Sequence, residues 1–176
     1  MKAIIRKDEE AVSPVIATIL MVAITVVLAA VLYVMVSGLI GGPGTSKPTV
    51  AFGSAAPATG SNLYKNETVP VASASQAYAP ANFKLNLQAP GGTGSALAMP
   101  TTGGGTIVVT VGSVFYKVVW TDIGGEGTLN GGDSFTVIQV TSSAGTTATT
   151  MTSGSYTFYL LWSDGSQIVA TTFSVT

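Results

Sequence analysis

Residues 12–40 read VSPVIATILMVAITVVLAAVLYVMVSGLI, and this stretch decides the fold of the chain. Its apolar residues cover the whole circumference of a helix rather than one stripe, and no charge occurs from residue 12 to residue 46. Val, Ile and Thr would also suit a strand, but an open strand cannot satisfy its backbone groups in lipid. The sequence therefore predicts a membrane helix over residues 12–41.

Local signals mark both ends of this helix. Ser13 can cap the first turn, and Pro14 fits the first helical position, where a missing N–H costs nothing. At the other end, Gly38 is followed by the run GGPG at residues 41–44, which cannot continue a helix. About 27 residues at ~1.5 Å each give a rod of roughly 40 Å, longer than the ~30 Å hydrocarbon core of a bilayer.

The eleven residues before the helix, MKAIIRKDEEA, carry three bases and three acids. A charged segment ahead of a membrane helix is typical of a cytoplasmic leader, and its Lys and Arg residues favour the cytoplasmic side. In a secretory signal peptide the cleavage site follows the apolar stretch, which is then discarded. Here the natural processing point precedes that stretch, so the helix is expected to remain in the mature protein.

The N-terminal residues, VSPVIATILMVAITVVLAAV in particular, resemble archaeal type IV pilins, whose class III signal peptides are cut ahead of the helix. The resemblance implies that residues 1–11 are such a signal peptide and that a prepilin peptidase cuts after Ala11, leaving Val12 as the new N-terminus. The residue before the small one is commonly basic in the family, whereas here it is Glu10. The resemblance also implies an assembly ATPase and a membrane platform as partners.

After a linker at residues 42–48, the pattern changes to short alternating runs separated by Gly, Pro, Asn and Asp. We predict an antiparallel, Ig-like β-sandwich of about seven or eight strands over residues 49–176, hence an α+β chain. The segments VVWTDIGGEGTLNGGDSFTV and YTFYLLWSDGSQIVATTFSV resemble the C-terminal strands of archaeal pilin domains. The predicted strands are residues 49–52, 63–71, 82–88, 106–111, 114–121, 134–141, 155–162 and 167–175.

Composition excludes several classes of function. The chain has no Cys and no His, which removes disulfides, thiol chemistry and the commonest general base. Only 9 % of residues are charged, the net charge is -1, and no basic stripe could neutralise phosphates. The Gly-rich stretches lack the Lys-Ser/Thr of a phosphate-binding loop. We therefore expect no enzyme, no cofactor and no nucleic-acid partner.

Two weaker motifs lie in the predicted sandwich. Four oxygen-bearing residues fall within one Gly-rich loop and form a weak calcium candidate, although their spacing lacks the Asp-x-Asp-x-Asp-Gly run and also fits a plain hairpin loop: Asp122, Glu126, Asn130 and Asp133. Asn66 begins the sequon Asn-Glu-Thr and is a candidate N-glycosylation site.

The resulting hypothesis is a subunit of a type IV pilus-like surface filament. The precursor sits in the membrane, and after signal-peptide removal it forms a homopolymer through its helix. Small residues in the helix permit close approach of neighbours: Ala17, Ala23, Ala29 and Ala30. The neutral sandwich suits dense packing and adhesion to surfaces. Two alternatives stay open, a membrane-anchored extracellular binding domain and an archaellin, the subunit of a swimming filament.

Overall fold

The computed structural model describes residues 13–39, 47–57 and 66–176. The chain divides into two compact units, Met1–Ser46 and Lys47–Thr176. In the first unit, helix α1 spans Ser13–Leu39. The predicted helix began at residue 12 and ended at residue 41; residues 12, 40 and 41 lie outside the described residues. Ser13 and Pro14 thus open the described helix.

The second unit, called the head domain below, contains eleven strands within its described residues. They are β1 (Val50–Phe52), β2 (Ala56–Pro57), β3 (Glu67–Ala74), β4 (Phe83–Ala89), β5 (Gly92–Thr93), β6 (Leu97–Ala98), β7 (Thr106–Val111), β8 (Val114–Thr121), β9 (Ser134–Val140), β10 (Gly154–Trp162) and β11 (Gln167–Val175). A short 3-10 helix, Pro80–Asn82, precedes β4.

The strands form two antiparallel sheets that pack face to face. The first has the order β1-β3-β9-β8-β7, with β2 also paired to β3. The second has the order β11-β10-β4-β5, with β6 also paired to β4. One long apolar helix followed by an antiparallel sandwich confirms the predicted α+β class.

The eight longer strands correspond to the eight predicted ones. β2, β5 and β6 were not predicted, because two residues are too few to show alternation. The largest shift is in β3, which was predicted over residues 63–71, of which residues 63–65 lie outside the described residues. The strand runs through Pro70, although proline has no N–H to donate to a neighbouring strand. The Pro70 carbonyl still accepts the Gly53 N–H at 2.8 Å, and the register of β1 shifts between Ala51 and Phe52.

The core lies between the two sheets and is rich in aromatic side chains. One face of β4 lies in this core, since Phe83, Leu85 and Leu87 are all buried. Fully burying a side chain of this size stabilises the fold by about 1.5–3 kcal/mol. Phe135 on β9 connects the sheets, because its ring lies 5.2 Å from that of Phe158 on β10.

We expect Phe135→Ala to lower the free energy of unfolding of the head domain by about 3–5 kcal/mol, because it removes a fully buried ring and leaves a cavity. Denaturant unfolding of residues 47–176, followed by tryptophan fluorescence, measures this loss. The matched control is Ser155→Ala, an exposed position on β10, with an expected change below about 0.5 kcal/mol. A Phe135→Ala loss as small as that of the control would contradict the assigned core.

Candidate functional site

The first candidate site is the surface of α1. The segment Pro14–Val36 is long and apolar enough to cross a membrane by length and composition, and its side chains are exposed. Two hydroxyls donate to the carbonyl three residues earlier, Thr18 to Val15 and Thr25 to Val22, both at 2.9 Å. These polar groups are satisfied inside the helix, so the same surface suits lipid tails or other helices.

The four small residues predicted to pack between helices do not share one face of α1. At about 100° per residue, Ala23 and Ala30 lie within about 20° of each other around the axis. Ala17 and Ala29 each lie roughly 100° or more from that pair. Only Ala23 and Ala30 thus form a common strip on the helix.

The predicted processing junction, Ala11–Val12, lies outside the described residues, as does the charged leader of residues 1–10. Helix α1 begins at Ser13, the residue that follows Val12. Cleavage at this junction therefore stays a prediction.

The second candidate site is the β8–β9 loop, residues 122–133, in which the sequence suggested calcium. Asp122 begins the loop and accepts two backbone N–H groups, from Gly125 on Oδ1 and from Gly127 on Oδ2, both at 2.8 Å. Both glycines have positive φ, 71° and 70°, which a side chain would strain. The loop thus wraps around the Asp122 carboxylate.

Asp133 closes the same loop from inside the domain. It is 1 % exposed, and its Oδ1 accepts the Ile123 N–H at 3.2 Å. Its Oδ2 accepts the Asn130 N–H at 3.0 Å and the Trp120 Nε1–H at 3.4 Å. Three donors thus satisfy the hydrogen-bonding capacity of this buried carboxylate within the protein.

Each acidic residue of the loop accepts hydrogen bonds from other groups of the same loop. Glu126 bonds the side-chain amide of Asn130, while Asp122 and Asp133 bond backbone N–H groups. Across the described ranges, no group of three or more His, Cys, Asp or Glu residues could hold a metal ion. The arrangement favours the hairpin-loop interpretation of these residues.

A groove of about 670 Å³ lies between the β1–β2 edge and β11, and Phe52, Glu67 and Thr171 are among its lining residues. Burial raises the pKa of the Glu67 carboxyl above its ordinary value. Among the described lining residues, Glu67 is the one acidic or basic side chain.

Asn66, the candidate glycosylation site, directly precedes β3 beside this groove. It is half-buried, and its Oδ1 is buried without a hydrogen-bond partner. The third residue of the sequon, Thr68, shares a hydrogen bond with Thr136 across the sheet, with 3.2 Å between the hydroxyl oxygens. The sequon therefore lies at the start of a paired strand.

One set of contacts fixes the point at which the described head domain begins. Lys47 Nζ lies 3.2 Å from Asp164 Oδ2 and donates to Ser166 Oγ, in the β10–β11 turn. Ser166 donates to Asp164 Oδ1 from its hydroxyl at 2.6 Å and its N–H at 2.8 Å. The Ser166 hydroxyl, the Ser166 N–H and then Lys47 lower the pKa of Asp164 to about 2. The exposed pair adds little stability but orients the chain.

Sequence reasoning missed two features of the head domain. Lys47 and Ser166 are 119 residues apart, and no local pattern links them. Ile123 is 69 % exposed. The exposure of Ile123 could have been predicted from the sequence, because Ile123 is a lone large apolar residue between Asp122 and a run of glycines.

We expect Asp133→Ala to lower the free energy of unfolding of the head domain by about 3 kcal/mol, because buried donors, among them Trp120 Nε1–H, lose their acceptor. Thermal or denaturant unfolding measures this change. The control in the same loop is Glu126→Ala, whose carboxylate is exposed and which should cost less than about 1 kcal/mol. Equal losses for the two variants would show that Asp133 does not hold the loop.

Comparison with known proteins adds one match. Residues 10–52 match a family model described as archaeal type IV pilin, N-terminal. The matched region contains the charged end of the leader, the whole of α1 and strand β1. No curated protein matches the chain.

Proposed function

We propose that this chain, whose residues 10–52 are an archaeal type IV pilin N-terminal segment, is a structural subunit that polymerises into a type IV pilus-like surface filament. One observation carries the proposal: the matched segment contains an uncharged 27-residue helix whose described side chains are exposed from Pro14 to Val36. A surface of this kind cannot stay in water and must be covered by lipid or by other helices.

Maturation comes first in the proposed sequence of events. Residues 1–11 act as a class III signal peptide, and a prepilin peptidase cuts between Ala11 and Val12. The mature chain then consists of a helix of residues 12–41, a linker of residues 42–48 and a β-sandwich of residues 49–176. Three bases and three acids leave with the leader, so the side-chain charge of the subunit does not change.

Assembly then moves the helix from lipid into a bundle of identical helices. This step gains little hydrophobic free energy, since lipid tails are as apolar as Leu, and close packing must favour it. The strip of Ala23 and Ala30 suits such an approach. Outside the membrane, each large side chain kept from water stabilises the bundle by about 1.5–3 kcal/mol.

The remaining roles follow from the family. An assembly ATPase and a membrane platform would extract the subunit, which is a membrane protein as precursor and part of an extracellular filament afterwards. Head-to-tail contacts that do not close a ring generate the required helical fibre. The head domain has few charges, which suits dense packing and adhesion to surfaces.

Two alternatives use the same helix and differ in the role of the head domain. A membrane-anchored binding domain is favoured by the groove beside Glu67, which could take a ligand while the helix stays in lipid. An archaellin would build a swimming filament. Shearing cells separates these functions, because an anchored monomer yields no sedimentable filaments, and loss of swimming on deletion would identify an archaellin.

Asn66 is the proposed site of N-glycosylation. The sequon Asn-Glu-Thr at residues 66–68 and the partial exposure of Asn66 support this proposal. The intact mass of the surface protein, compared with that of the Asn66→Gln variant, would reveal an attached glycan. Equal masses, apart from the substitution itself, would exclude modification at this position.

We expect the mature subunit to begin at Val12, because cleavage ahead of the helix keeps the polymerising segment. Intact-mass analysis of sheared surface protein, combined with N-terminal sequencing, measures the start. A deletion of the peptidase gene is the control and should leave residues 1–11 attached. Surface filaments whose subunits begin at Met1 would contradict the proposal.

We expect Ala23→Trp to leave membrane insertion intact and to abolish filaments, since lipid tolerates the added bulk and a packed bundle does not. Membrane fractionation reports insertion, and electron microscopy of sheared material reports filaments. Ala23→Ser is the matched control, because it changes the same position and keeps the side chain small. Normal filaments from Ala23→Trp would rule out close helix packing at this position.

A further inference from the structure

Ile123 in the β8–β9 loop is unusual among the apolar residues of the head domain. Outside α1, it is the one large hydrophobic side chain among the described residues that is exposed, at 69 %. The other large apolar side chains described in the domain are at least partly buried, and Phe135 and Leu160 are fully buried. An exposed apolar residue can contribute to binding at a lower entropic cost when the backbone holds it in a fixed position.

The loop supplies that fixed position. The N–H of Ile123 itself donates to the buried carboxylate of Asp133. On its other side, the loop is wrapped around Asp122 through the N–H groups of Gly125 and Gly127. The position of Ile123 is therefore fixed before any partner binds. A partner that covers Ile123 does not have to be bound at the entropic cost of ordering the loop.

The β8–β9 loop lies at the same end of the head domain as Lys47. This end is called the linker end below. Leu129 of the loop pairs with Tyr78, whose ring lies 5.4 Å from that of Trp162. Trp162 ends β10, and the turn after it contains Asp164, the partner of Lys47. Seven residues separate Leu39 from Lys47, so the linker end is the part of each head domain that is tethered to a helix.

The last turns of α1 have an apolar surface that also needs to be covered. A helix of 27 residues is about 40 Å long and exceeds the ~30 Å hydrocarbon core, so roughly six residues extend beyond the lipid. The described side chains there are apolar and exposed, from 74 % for Tyr33 to 52 % for Val36. In a filament these turns must be covered by protein.

We propose that Ile123 of each subunit docks on the last described turns of α1, residues 33–36, of a second copy of this chain. The inference rests on the proposed function, since it names a contact within the filament. The two surfaces are different, so the contact is heterologous and repeats along a fibre. The loop carries three acids and no base, which disfavours an anionic lipid surface as the occupant, whereas the helix surface is uncharged.

Disulfide cross-linking tests the contact directly, because the chain has no Cys of its own. Cells would co-express full-length Ile123→Cys with one of four variants: Tyr33→Cys, Val34→Cys, Met35→Cys or Val36→Cys. Four consecutive positions sample all faces of a helix. After mild oxidation of sheared filaments, we expect cross-linked heterodimers for at least one pair, and none after dispersal in detergent before oxidation.

Two pairings are matched controls. Ile123→Cys with Ile19→Cys tests an exposed helix position far from the linker, and Ser155→Cys with the reactive helix variant tests an exposed position at the other end of the head domain. Neither should cross-link. Heterodimers in either control at the same yield, or filaments without any heterodimer, would overturn the contact and leave the filament function intact.

A substitution adds an independent measurement. Ile123→Asp should lower the filament yield by about tenfold or more, while the melting temperature of the chain stays unchanged. Ala144→Asp adds the same charge at an exposed loop elsewhere and should assemble normally. Wild-type yield from Ile123→Asp would overturn the contact. Wild-type chains that form no filament would overturn the proposed function and this contact with it.

Discussion

The rest of this protein depends on the need to keep the side chains of α1 out of water. The helix carries no charge, and its described side chains are apolar around the full circumference. In the proposed function, lipid would meet this need in the precursor and neighbouring helices would meet it in the filament, since both present an apolar surface. Thr18 and Thr25 fit either surrounding because their hydroxyls bond within the helix. The proposed filament subunit would use this one segment in both surroundings.

The head domain differs from α1, since it buries an apolar core of its own and has few charges. Its two sheets enclose aromatic side chains around Phe135 and Phe158, and several of its acids bond to groups of the same domain. Asp122 and Asp133 hold the β8–β9 loop, and Asp164 binds Lys47 at the linker end. The remaining outer surface is close to neutral, so copies can pack side by side without strong repulsion.

The linker end is the part of the head domain that the chain joins to the segment containing α1. Lys47 fixes the point at which the chain joins the head domain, and the β8–β9 loop presents Ile123 at the same end. The proposed docking of Ile123 on a neighbouring helix would cover apolar turns that extend beyond the lipid. In that arrangement the head domain does more than coat the filament, because it completes the exclusion of water from the helical core.

The sequence by itself determined the helix and its limits, the change to strands after the linker, and the approximate positions of the eight longer strands. These features depend on hydrophobic periodicity and on Ser, Pro and Gly signals that act within a few residues. The tertiary structure alone decided the strand order, the short strands such as β2, the role of Asp133 and the contact of Lys47 with Asp164. Each of these depends on residues that are distant in sequence and adjacent in space, and burial and hydrogen bonding between such residues leave no local pattern.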